Sequence, residues 1–327
     1  MNANIFKCLN TKVEYLLKSF IIITLILAQI VLTENIFGQS EVCTVRDYSP
    51  EEMLRLTDEF NQWLQQGNKV TTSGTVRIPV AFHIIRRNDG SGDVTDGQIN
   101  GQITVLNSGF ANTNFRFALH SIERVNNTTW STQAISNSQV EAEMKEALTI
   151  DPSHTLNFYT STNEGLTTGF ARFPWEFSDE GSYMHGVIVK YTKLGTTGIH
   201  EVGHYVGLWH TFENGCYEPG DEVSDTPFEA LGTVGCPTSK ESCGSEDPIH
   251  NFMDYSTCRD HFTTGQSDRM DLMMEYHRPS IYYPVNVIVD QQREDGSRLS
   301  GTYIGYWNGS SFDDNQIYSG TITLPFL

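Results

Sequence analysis

Three histidines and one glutamate are spaced as a metal centre would need them. The run His200-Glu201-Val202-Gly203-His204-Tyr205-Val206-Gly207-Leu208-Trp209-His210 fits the pattern H-E-x-x-H-x-x-G-x-x-H. Two histidines four apart in a helix lie one above the other, so both imidazoles can reach one ion. Gly207 can take a left-handed conformation that ends such a helix without steric cost. The chain then turns back, and His210 completes a three-nitrogen site. Zinc suits it, because three protein ligands leave a fourth position open for water. Glu201 neighbours a ligand without being needed as one, so its carboxylate is free to take a proton from that water. Five fixed positions arise by chance in roughly one chain in ten thousand. The competing readings are a helix with incidental histidines and a purely structural zinc site. The second is weakened because structural sites usually close with a fourth protein ligand and often use cysteine.

The elements around the motif follow from periodicity. Val76–Arg86 reads as a strand, although Pro79 argues against a fully paired central position. Thr95 and Gln98 form a capping-box pattern ahead of a helix whose buried face is Ile99, Ile103, Leu106 and Phe110. Further strands are expected at Phe115–Leu119, Leu156–Tyr159 and Val187–Tyr191, with a short helix at 139–148 and the histidine-bearing helix at about 196–207. Past His210 the periodicity fades until a helix at about 265–277. Upstream, Ser49-Pro50-Glu51-Glu52 starts a helix with Met53, Leu56, Phe60 and Trp63 on one face. The polar stretch Thr71-Thr72-Ser73-Gly74 then marks a boundary.

Three lysines precede the apolar run Phe20–Leu32, which is short for a membrane span and suits the core of an export signal. Residues 1–38 are therefore expected to be removed, 39–74 to form a propeptide, 75–281 the catalytic domain and 282–327 a β-rich tail. An uncleaved N-terminal anchor is the alternative, but no stable membrane insertion is expected. The formal net charge is −19, and loss of residues 1–38 leaves about −20. Such acidity argues against nucleic acid or anionic membrane partners. Of six cysteines, Cys216, Cys236, Cys243 and Cys258 cluster after the histidine motif. In an exported chain they read as two disulfides, with three pairings open.

Beyond the histidines, Asn251-Phe252-Met253-Asp254-Tyr255-Ser256 resembles the Met-turn of the metzincins. Together with HEVGHYVGLWHTF, Gly169–Trp175, His185–Val189, Gly220–Pro227 and Phe262–Gln266, it resembles the pappalysin (cytophagalysin) metalloendopeptidases over roughly residues 76–277. The resemblance implies an α+β fold: a twisted mixed sheet and the active-site helix in an upper half, and an irregular, disulfide-linked lower half. It implies His200, His204 and His210 as zinc ligands, Glu201 as general base, Met253 packed beneath the metal and Tyr255 as a hydroxyl near the reacting carbonyl. It implies the pairs Cys216–Cys243 and Cys236–Cys258, and calcium near Asp221 and Asp225. Cys43 would be a latency ligand on the zinc. Its alternatives are an unpaired surface thiol and an intermolecular disulfide.

One departure concerns specificity. Relatives that favour a basic residue after the scissile bond carry an acid between the Met-turn tyrosine and the next cysteine. Here only Ser256 and Thr257 lie there, and Asp260 follows beside Arg259. A basic preference is not transferred. The expected function is a secreted zinc endopeptidase acting on proteins or peptides, its rival a secreted binding module that keeps zinc without turnover. Glu201 favours the enzyme, since binding alone has no chemical need for a base.

Overall fold

A computed structural model of the chain describes residues 42–66 and 75–282, and four two-residue strands towards the C-terminus. The expected export signal and the boundary at 71–74 lie outside the described residues. Of the tail, Asn286–Val287 pairs antiparallel with Ile322–Thr323, and Tyr306–Trp307 with Phe312–Asp313.

The chain runs β1 (Val42–Thr44), α1 (Pro50–Gln65), β2 (Val76–Arg86), α2 (Asp96–Gly109) and β3 (Phe115–Asn126). It continues through α3 (Thr128–Gln133), α4 (Ser138–Leu148), β4 (Leu156–Ser161), β5 (Thr167–Ala171), β6 (Val187–Lys190) and α5 (Thr196–Tyr205). After α5 come the two-residue strands β7 (Glu241–Ser242) and β8 (Ser245–Glu246), then α6 (Thr264–His277) and α7 (Pro279–Tyr282).

Six strands form one mixed sheet in the order β1-β5-β6-β4-β2-β3. The β6-β4-β2-β3 portion is parallel, β5 runs antiparallel to β6, and β1 lies parallel to β5 at the edge. Alternation along the strands builds two cores. Ile78, Val80, Phe82 and Ile84 of β2, Phe158 of β4, and Val187 and Val189 of β6 face a core shared with Ile99 and Leu106 of α2 and Val202 of α5. Their neighbours Ile85, Tyr159 and Ile188 face the other side, with Val140 and Met144 of α4. Each such side chain contributes about 1.5–3 kcal/mol relative to exposure, so a one-residue slip of the register is strongly opposed. Pro79 sits in the central strand β2 after all. It pairs with Ala118 on the β3 side, whereas pairing to β4 starts only at Val80, so its missing N–H leaves the two-sided part of the ladder intact.

The lower half after α5 has little regular structure, and two covalent links hold it. Cys216 is bonded to Cys243 and Cys236 to Cys258. Closing loops of this length stabilises by on the order of 3 kcal/mol each.

Candidate metal centre and active site

Helix α5 carries the first two histidines, and its ends are set by tertiary contacts. At its start Gly195 has φ +106° and no capping side chain. The buried Gln102 amide from α2 replaces the cap, bonding both the N–H and the carbonyl of Gly195. At its end Gly207 has φ +102°, and a Cβ there would lie 2.5 Å from Met273. Position 207 therefore needs glycine for conformation and for space. The turn returns the chain so that Leu208 O accepts from His204 Nδ1 at 2.7 Å.

The three imidazoles converge. His204 Nε2 lies 3.2 Å from His200 Nε2 and 3.1 Å from His210 Nε2. Three nitrogens about 2.0–2.1 Å from one tetrahedral ion would be spaced at about 3.3 Å. Tautomers follow from the outer partners. His200 Nδ1 donates to Phe252 O at 2.7 Å, and His204 Nδ1 to Leu208 O, so each Nε2 presents a lone pair to the centre. Burial pushes all three rings below the ordinary imidazole value, His204 to about 4, and repulsion from neighbouring His204 and Arg259 adds to it at His200 and His210. Three neutral rings aiming lone pairs at one another form a donor set that fits a divalent cation. The Cys43 sulfur joins them: the four ligand atoms all lie within 4.8 Å of one another, and among the described residues they are the one such group of histidine, cysteine and acidic side chains.

Glu201 leaves α5 between the first two histidines, toward β5. Its carboxyl is fully buried, and burial raises it to about 8, against the lowering influence of Cys43 and Arg259. Oε2 accepts from Cys43 Sγ at 3.2 Å, and Oε1 has no partner. It reaches that position only because residue 169 on β5 is glycine, where a Cβ would lie 2.0 Å from Glu201 Oε1. Met253 is buried against Gly203, where a Cβ would lie 2.5 Å from its sulfur. A glycine inside a helix costs about 1 kcal/mol against alanine, and the Met253 packing is its reason.

Tyr255 lies against His210, with ring centroids 5.1 Å apart, and its hydroxyl donates to Cys43 O at 2.8 Å. Burial and nearby acids hold the phenol well above its usual value, so it stays a donor. Cys43 is a buried free cysteine rather than a surface thiol.

Asp221 and Asp225 each have hydrogen-bond partners of their own. Asp221 accepts from Thr226 Oγ1 and Val223 N, and burial raises it to about 7. Asp225 accepts from Thr263 Oγ1 and from Gly265 N, at the start of α6. Sequence reasoning assigned no role to Gly169, Gly203, Gln102 or Arg259. A glycine within the helical motif was the one available signal among these. The others act through contacts that no local pattern announces.

A mixed sheet backed by a histidine helix, with a methionine turn below it, defines a metal-dependent peptidase of the metzincin type. Comparison with known proteins gives the family. The Peptidase_M43 family model, described as pregnancy-associated plasma protein-A, matches residues 123–275. The extracellular metalloprotease of Neurospora crassa is 36% identical over 228 residues, covering 64% of this chain and 78% of that protein. Among solved structures, a promirolysin mutant of Tannerella forsythia is 26% identical with a TM-score of 0.59, over 71% of this chain and 91% of that one. Mature mirolysin of Tannerella forsythia, in complex with a cleaved peptide, is 26% identical with a TM-score of 0.53, over 65% of this chain and 100% of that one. The chain belongs to the Peptidase_M43 (pappalysin) family and is a metalloprotease.

Proposed function

We propose that the protein is a secreted, zinc-dependent endopeptidase made as a latent precursor. His200, His204 and His210 hold the zinc, and the observation that carries this reading is the 3.1–3.2 Å convergence of their Nε2 atoms. Zinc in that position supplies Lewis acidity, which polarises a scissile carbonyl and lowers the pKa of water to about 7. Glu201 takes the proton of the attacking water and delivers it to the leaving amine, and its buried, unpartnered Oε1 supports that role. The Tyr255 hydroxyl donates to the oxygen on which charge develops.

Latency rests with residues 39–74. The Cys43 sulfur is the fourth donor of the group, and β1 covers the β5 edge with Cys43 opposite Gly169. Loss of that segment would free β5 to pair with an extended substrate. Residues 1–38 act as the export signal in this reading. Two disulfides and relatives named extracellular metalloproteases support secretion. Calcium has narrower support: Asp221 is a buried carboxylate near Glu213, which is itself raised to about 7, and a divalent cation beside Asp221 would relieve both.

The test is casein digestion by the zinc-loaded protein and by Glu201→Gln. The variant should keep about one zinc per chain and lose cleavage by at least roughly a hundredfold. Undiminished cleavage by the variant would end the general-base assignment.

A further inference from the structure

Arg259 is a half-buried cation set beside the metal centre, and it is poorly matched by acceptors. Its Nη1 donates to Asp254 O at 3.1 Å and lies 3.3 Å from His200 Nδ1. The second contact is donor against donor, because the His200 Nδ1 proton is committed to Phe252 O. Its Nε is buried with no partner. A guanidinium offers five N–H donors, and here one carbonyl accepts. Asp254, Glu201, Cys43 and Tyr255 act on it through space, and no ion pair joins it to a carboxylate among the described residues.

The surrounding loop fixes the group. The preceding residue, Cys258, is bonded to Cys236, and Thr257 N donates to Gly235 O at 2.8 Å. Tyr255, which packs on His200 and His210, begins the same short loop. A planar fork held in place and short of acceptors is matched by a carboxylate, which takes two parallel N–H bonds. The chain is strongly acidic overall, with a formal net charge of −19. A preference for acidic peptides must therefore come from this local cation and not from long-range attraction.

We propose that Arg259 is a specificity-determining residue that selects substrates bearing an aspartate or glutamate side chain at a residue flanking the scissile bond. The proposal rests on the endopeptidase reading and names its substrate class.

The experiment uses the zinc-loaded protein, expressed as the full chain and then processed, with N-acetylated, C-amidated peptides that differ at one flanking residue: Asp or Glu, Asn or Gln, or Lys. Blocked termini leave the side chain as the peptide's carboxylate. The kcat/KM for acidic peptides should exceed that of their amide isosteres by roughly ten- to a hundredfold. In Arg259→Leu that ratio should fall to within about twofold of unity. Arg259→Lys should keep part of the ratio, and Arg259→Glu should turn the preference toward lysine. A merely structural role would lower all substrates together and leave the ratio in place. Equal cleavage of all peptides by the wild type, or a ratio that survives Arg259→Leu, overturns the assignment while leaving the endopeptidase reading standing. Failure to cleave any peptide or casein would remove the endopeptidase reading as well.

Discussion

The Cys43 thiol donates to Glu201 Oε2 across 3.2 Å, joining residues 158 positions apart in the chain. The carbonyl of the same cysteine accepts from the Tyr255 hydroxyl. One residue of the leading segment thus touches both side chains proposed to work on substrate, while its strand covers the edge a substrate would need. Helix α1 adds a second anchorage: Met53 is buried beside Phe173 and Trp209, and Phe60 and Trp63 stack near Tyr276.

Replacing Cys43 with alanine removes the thiol and leaves the strand and helix in place. Unprocessed Cys43→Ala should process itself and digest casein faster than unprocessed wild type, by at least roughly tenfold, since a thiolate is a strong soft ligand for zinc. The measurement is the rate of segment loss on gels alongside casein cleavage. Identical rates for both forms would remove Cys43 from the latency mechanism.

Gly169 gives a test of how Glu201 is seated. A methyl at this position would lie 2.0 Å from Glu201 Oε1, and β5 is held on both sides by β1 and β6. Gly169→Ala should lower kcat by roughly ten- to a hundredfold, because a displaced carboxylate loses its alignment for proton transfer. Zinc content should be unchanged. Wild-type kcat in this variant would mean that the carboxylate position is not critical.

His185 makes a prediction about acid stability. Its ring packs edge-on against Phe177 and its Nδ1 is buried without a partner. Burial, with help from the Arg278 charge, lowers it to about 3. The unfolded chain protonates this ring near pH 6.5 and the folded chain only near pH 3, so the unfolded state binds the extra proton between those values. The contribution is therefore fully present above pH 6.5 and is lost progressively as pH falls toward 3. At pH 4.5 the loss amounts to about 2–3 kcal/mol. Denaturant unfolding of His185→Gln and wild type should give a stability difference that shifts in favour of the variant by that amount between pH 7 and 4.5. A pH-independent difference would contradict the buried neutral ring.

The histidine cluster was legible because its spacing is local: one helical turn separates His200 from His204, and a glycine with positive φ returns His210. The strands Val76–Arg86 and Val187–Lys190 were legible through β-rich, apolar runs whose burial the core imposes. Periodicity did not reveal strand β5, since Thr-Thr-Gly-Phe-Ala has no alternation to read and becomes a strand by pairing with β1 and β6. Strand β3 runs on to Asn126, past the expected Leu119, because its polar second half is recruited by β2 along its whole length. The Gln102 cap on α5 joins residues 93 apart, which no local pattern could announce. Spacing alone left three cysteine pairings open, and the choice between them lies in how the lower half folds around Tyr255.

The central claim is that three imidazoles hold one zinc ion that peptide cleavage needs, and metal analysis of His210→Ala tests it most directly. Zinc per chain would be measured beside casein cleavage in the purified, processed protein and in this variant. The account predicts about one zinc in the wild type, with metal and cleavage lost together in the variant. Full zinc stoichiometry in His210→Ala, or a wild type that cleaves casein undiminished after chelation has removed its metal, would contradict it.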